Sequence, residues 1–194
     1  MRLTSLSLFS SILACSILSA CTEMPDETGL IINNVTVVDA VSPIRAERSV
    51  VIRDDKIFAV NPALKGQAAN TSNVIDGSGQ FLIPGLWDMH VHFLYEPRLT
   101  EQMADLFLLY GVTSVRDTGG NLAKLVALRE QLTARTRPSP QIYFSGPLLD
   151  GKFVVYDGSD PARPALGVDV PNENTAHARV KQLKDAGALS LIHI

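Results

Sequence analysis

Residues 81–93, FLIPGLWDMHVHF, decide how the rest of the chain is read. Pro84-Gly85 makes a turn that feeds a short strand, and side chains alternate faces along a strand. Asp88, His90 and His92 therefore share one side. Trp87, Met89 and Val91 share the other, which the pattern assigns to packing. Two imidazoles two residues apart at a strand end can converge on one divalent ion, because neutral His nitrogens bind zinc, iron or manganese. Two ligands do not complete a site, so the remainder must come from elsewhere. On spacing alone, an HxH pair is as readily two solvated or hydrogen-bonded rings.

Upstream, the first residues read as an address and not as fold. Arg2 is a minimal positive region, Leu3 to Leu18 is apolar but diluted with Ser, and Leu18-Ser19-Ala20-Cys21 closes the stretch with small residues before a Cys. This resembles a bacterial lipoprotein signal, 1–20, with cleavage before Cys21 and a lipid attached there. A spanning helix is the weaker reading, because a span needs about 20 predominantly apolar residues. The expected address is the bacterial cell envelope, exported and lipid-anchored on its periplasmic or extracellular face. Of the two Cys in the chain, Cys15 would leave with the signal. No disulfide or Cys-metal site then remains. Residues 21–29 form the lipidated Cys and a polar tether.

The chain carries a formal charge of -3 with 19% charged and 46% hydrophobic residues. No basic face is visible, which excludes nucleic acid as a partner. From Leu30 to Ile83 the pattern is strand and turn. Leu30–Ile32 and Val35–Val38 are runs broken by Asn33-Asn34. Ser49–Arg53 and Lys56–Val60 flank Asp54-Asp55 as a hairpin, since Asp tolerates the positive φ of a tight turn. Asn73–Asp76 and Gln80–Ile83 add two strands around Gly77-Ser78-Gly79. Residues 30–85 read as the N-terminal part of a small β-sandwich.

Beyond Phe93 the rhythm changes to strand and helix. Met103, Leu106, Phe107 and Tyr110 follow helical spacing, with Gly111 at the C-cap. A strand follows at Val112–Arg116. Asn121 then caps a helix with Leu122, Leu125, Val126 and Leu132 on its buried side, and a third strand runs over Gln141–Ser145. Strands alternating with such helices imply parallel βαβ units. Gly146 to Pro171 is rich in Gly and Pro and has no periodic segment, so it reads as a long loop over a pocket or as a surface excursion. Ala176, Val180 and Leu183 mark a last helix, on which His177 is a solvated residue.

Two stretches, VIDGSGQFLIPGLWDMHVH (74–92) and GVTSVRDTGG (111–120), carry a family resemblance. They resemble the first two barrel strands of the metal-dependent amidohydrolase superfamily, in its imidazolonepropionase-like and Xaa-Pro dipeptidase-like branch. The resemblance implies an α/β fold: an incomplete (β/α)8 TIM-type barrel, its first three strands within 86–188, behind a side domain completed from the far C-terminus. It implies His90 and His92 as ligands of the more buried divalent metal, most simply Zn2+, one or two ions per parent protein. Asp88 is then the carboxylate that supports them. Arg116 and Asp117 stand where a barrel presents its active end, as a structural ion pair or as a substrate contact, and neither is a metal ligand in the family pattern.

After LKDAGA the family continues with Asp and an Ile-Lys pair, the Lys bridging two metals. Here the chain reads LSLIHI, residues 189–194. These back-translate without mismatch to CTG TCT CTT ATA CAC ATC, the transposase mosaic end of sequencing libraries. The expectation is adapter read-through, with genuine sequence stopping near Ala188, so His193 is not named a ligand. A complete barrel takes about 250 residues, and the catalytic Asp, the bridging Lys and two later His are expected beyond this chain. The implied activity, hydrolysis of a small amide, a cyclic amide or an Xaa-Pro dipeptide by metal-activated hydroxide, therefore belongs to the parent protein. The fragment itself is expected to be inactive. A different class remains open: a surface-tethered, ligand-binding lipoprotein whose barrel holds no metal. An authentic short lipoprotein would require SLIHI to be real and its open faces to be covered by a partner. The oligomeric state is not legible.

Overall fold

The computed structural model describes residues 29–65 and 73–192. The expected signal peptide, Cys21 with residues 22–28 of the expected tether, and His193 lie outside the described residues. Within them the chain divides after Ile83 into two compact units. No described helix is long and apolar enough to cross a membrane.

The first unit holds β1 (Leu30–Val37), β2 (Arg45–Arg53), β3 (Lys56–Pro62), β4 (Val74–Asp76) and β5 (Phe81–Leu82). They form one sheet in the order β3-β2-β1-β4, with β5 also on β1. Asp54 and Asp55 turn the β2–β3 hairpin at φ 48° and 58°, the left-handed region that Asp tolerates better than most residues. The break expected at Asn33-Asn34 is instead a bulge inside a single strand. The register slips between Ile32 and Val35, and Asn34 takes φ 56°. Asn33 points inward, where its side-chain amide exchanges hydrogen bonds with the backbone of Leu64 at 2.8 and 3.3 Å. A polar bulge thus stays in the sheet because its amide finds a partner. Val35, Val37 and Val50 form the core. Among the described residues there is one layer and no second sheet, and Ile57, Phe58, Ile75 and Phe81 are exposed.

The second unit runs β6 (Leu86–Val91), α1 (Thr100–Leu109), β7 (Val112–Asp117), α2 (Leu122–Ala134), β8 (Gln141–Phe144), β9 (Leu148–Asp150), β10 (Gly167–Asp169) and α3 (Glu173–Asp185). β6, β7 and β8 pair in parallel in that order. Val91, Phe93, Val115 and Ile142 bury one face of this sheet against Ala104 of α1 and Leu128 and Leu132 of α2. Gly111 leaves α1 at φ 78°, a conformation that costs glycine nothing. Asn121 caps α2 through the Lys124 N–H at 3.1 Å. The three parallel strands thus carry their connecting helices on one face.

The long segment after β8 departs from expectation. It is not structureless: β9 and β10 pair in parallel, Leu148 with Gly167 through Asp150 with Asp169. Leu148, Leu149 and Leu166 are buried beneath this fold-back. Asp150 holds its near end by accepting from the Gly151 and Val155 N–H groups, both at 2.8 Å.

Gly85 sits where β6 starts against β7. A Cβ there would lie 2.0 Å from Thr113 Oγ1 and 2.8 Å from Thr113 Cβ, so the strand ends must separate. Gly85→Ala should cost about 1–3 kcal/mol, read on the fluorescence of Trp87, the single Trp, during urea unfolding. Adding Thr113→Ala should recover only part, because the Thr113 Cβ remains. A full-stability single variant would contradict the packing.

Candidate metal centre

The site grows from an irregularity in β6. The ladder to β7 runs Leu86, Trp87, Asp88 and then jumps to Val91. Within the gap, Asp88 Oδ1 accepts the N–H of His90 at 3.0 Å, and Arg116 Nε donates to the Met89 carbonyl at 3.0 Å. A carboxylate bonding two residues ahead competes with the ladder, and the bulge it leaves changes which side chains face inward.

This corrects the simple alternation. Val91 joins the helix-covered core, but Trp87 and Met89 are 49% and 46% exposed. Trp87 instead stacks on Tyr143, with ring centroids 4.9 Å apart. Asp88 spends its carboxylate on the local backbone and does not reach the His rings through any hydrogen bond between described residues. Arg116 and Asp117 also do not form the ion pair that was one expectation for them, because Arg116 reaches Met89 and Asp117 is engaged elsewhere.

His90 and His92 do come together. Their ring centroids lie 5.1 Å apart with planes at 82°. Two imidazoles bound tetrahedrally to one zinc at about 2.0–2.1 Å would place their centroids roughly 5 Å apart. The observed separation is of that size. Among the described residues no group of three or more His, Cys, Asp or Glu could hold a metal, so this pair is the whole donor set found there.

The backbone around His92 is pinned at each step. Thr118 N–H donates to the Val91 carbonyl at 3.0 Å, and Tyr95 N–H to the His92 carbonyl at 3.3 Å. Thr100 Oγ1 donates to the Phe93 carbonyl at 2.8 Å. Phe93 N–H donates to Asp117 Oδ2 at 2.7 Å, and Gly119 N–H donates to Asp117 Oδ1 at 3.0 Å. Asp117 is fully buried. Burial pushes its carboxyl up from the ordinary carboxylate range, while the two backbone N–H groups and the positive potential of His92 and His90 pull it down. A raised value means that the folded chain holds this proton more firmly than the unfolded one. Its contribution to stability is thus full below the unfolded pKa and declines as pH rises through the folded one.

Two features near the rings had no clear signal in the sequence. Gly119 places its carbonyl 3.4 Å from His92 Nδ1; the only hint was a glycine pair after a strand end. Tyr95 tilts over His92 at 6.3 Å between centroids, and its hydroxyl donates to the Ala162 carbonyl at 3.3 Å. Tyr95, Glu96, Asn121, Lys124, Ala162 and Leu166 help line a cavity of about 610 Å³. The loop that follows β6 and the fold-back after β8 thus meet over the same hollow.

No family model matches the chain. It is 34% identical over 123 residues to an adenine deaminase of Desulforamulus reducens, a match covering 61% of this chain and 20% of that enzyme. It is 23% identical over 139 residues to an imidazolonepropionase of Idiomarina loihiensis, covering 72% of this chain and 33% of the other. Among solved structures, an Xaa-Pro dipeptidase with methionine bound in its active site superposes at a TM-score of 0.69 and 21% identity, over 85% of this chain and 46% of that one. The chain thus spans a fifth to a third of these curated relatives and under half of the solved chain.

Proposed function

From the premise that the chain belongs to the amidohydrolase superfamily, we propose that it is the opening part of a metal-dependent hydrolase acting on a carbon–nitrogen bond other than an ordinary peptide bond. The observation that carries this reading is the His90–His92 pair, spaced for one ion at the end of the first barrel strand. The relative named adenine deaminase supports the bond class. His90 and His92 would hold a divalent ion, Zn2+ by its preference for imidazole. Such an ion, when bound, lowers the pKa of water and polarises a carbonyl.

The chain's own residues do the rest of what can be assigned. Asp117, Thr118 and Thr100 hold the His92 backbone in place. Tyr95 and the fold-back at Ala162 share the wall of a hollow that neither His ring lines; the substrate is a small amide, a cyclic amide or an Xaa-Pro dipeptide. Two imidazoles do not complete such a site, so the reaction needs ligands besides His90 and His92. Cys21 carries a lipid that tethers the protein to the bacterial envelope. Radiolabelled fatty acid should enter the wild type and not Cys21→Ala.

The test is a long sequencing read past the Ala188 codon, followed by assay of the encoded protein against a panel of small amides with zinc. Turnover that a chelator removes and zinc restores supports the proposal. A frame lacking the later ligands, or a protein inert to every amide, sinks it.

A further inference from the structure

Asp117 is neither a ligand nor a partner of Arg116, yet it is fully buried and both its oxygens are used. One takes the N–H of Phe93, the residue after His92. The other takes the N–H of Gly119, the residue whose carbonyl faces His92 Nδ1. A single carboxylate thus holds the peptide that follows His92 and the peptide that enters Gly119, one residue link before the carbonyl that the ring meets. A carbonyl oxygen can only accept, so this contact is a hydrogen bond only with the hydrogen on Nδ1, which leaves the lone pair of Nε2 free. At 3.4 Å this bond is long, but a second observation fixes the same approach. A Cβ on Gly119 would lie 3.3 Å from His92 Cε1 and 3.4 Å from Nδ1, so a side chain there would push the ring back by a few tenths of an ångström.

We infer that Asp117 is the positioning residue of His92, holding it through Phe93 and Gly119 as the Nδ1–H tautomer with Nε2 presented for a metal ion. The inference rests on the proposed reading of His92 as a ligand. Metal-binding imidazoles are commonly oriented by a partner on their other nitrogen; here that partner is a backbone carbonyl of the residue whose N–H a buried carboxylate holds. His90 differs, since its backbone is held by Asp88 and its ring meets His92 edge to face.

The test reads histidine side-chain nitrogens in the 15N-labelled full chain, metal-free and above the pH at which the rings titrate, followed by zinc titration. Wild-type His92 should populate the Nδ1–H tautomer, whereas His177, exposed on α3, should show the Nε2–H form that free imidazole favours. Asp117→Asn keeps one acceptor and offers an NH2 to the second N–H, so the tautomer preference should collapse and zinc affinity fall about 10- to 100-fold. Gly119→Ala, which leaves Asp117 in place, should shift the His92 signals in the same direction by moving the ring, and it decides the matter if Asp117→Asn does not fold. A purely structural Asp117 would change stability and leave the tautomer untouched. Wild-type His92 in the Nε2–H form, or folded variants with unchanged tautomer and affinity, would overturn the inference. An Asp117-dependent tautomer in a chain whose rings ignore zinc would uphold the positioning and defeat the ligand reading. Zinc bound by His90 and His92 with no response to either variant would do the reverse.

Discussion

Asp117→Ala should destabilise the second unit by about 2–6 kcal/mol, because it strands two buried backbone N–H groups at about 1–3 kcal/mol each. Those groups belong to Phe93 and Gly119, and no water replaces the lost oxygens at a residue with no exposure. The damage is directional. It loosens β6 from β7 at the end that carries His92, while α2 against β8 keeps its packing through Leu128, Leu132 and Ile142. Trp87, stacked on Tyr143 across the sheet, reports the change. Its unfolding midpoint in urea should fall sharply, whereas hydrogen exchange in the β2–β3 hairpin of the first unit should be unaltered. A loss under 1 kcal/mol would mean that water satisfies both N–H groups and that the buried carboxylate is not the staple.

Replacing both His90 and His92 with Ala should abolish zinc binding within the second unit, and each single replacement should weaken it at least 100-fold. The reason is the size of the donor set: with no third ligand gathered among the described residues, removing one imidazole leaves a monodentate contact that water outcompetes. Stability should move little, since His90 is exposed and neither ring belongs to the hydrophobic core. Calorimetric titration beside urea unfolding separates the two effects. Single variants that bind zinc as the wild type does would place the metal elsewhere.

Local chemistry was legible where it is written in neighbouring residues. Asp54-Asp55 gave the hairpin, Asn121 the cap of α2, and the periodicity of Met103 to Tyr110 gave α1. The PGxxDxHxH run gave a strand, β6, and the meeting of its two rings. What escaped depends on competition or on distance. Asp88 lies in the expected strand, but its carboxylate takes the His90 N–H, the ladder slips after it, and Trp87 stands exposed. Asn33-Asn34 looked like a strand break, yet Asn33 satisfies its amide on Leu64, 31 residues away. The β9–β10 ladder joins Leu148 to Gly167, and no local period announces a pairing across such a gap. Asp117 was placed at the barrel mouth, but its partners, backbone N–H groups, leave no trace in sequence. In α2, Leu128 is buried with Leu125 and Leu132, where Val126 had been expected, a shift of a fraction of a helical turn.

Everything proposed for the strand end turns on whether His90 and His92 bind one ion together. The most direct measurement is a zinc titration of the 15N-labelled chain followed on its histidine side chains, with His177 on α3 as an internal control. The account predicts that the His90 and His92 signals move along one shared isotherm and saturate at one zinc per chain, while His177 stays still until zinc is in large excess. If His177 responds at the same concentrations, or if His90 and His92 titrate independently, the pair is not a metal centre and the rings are ordinary residues at a strand end.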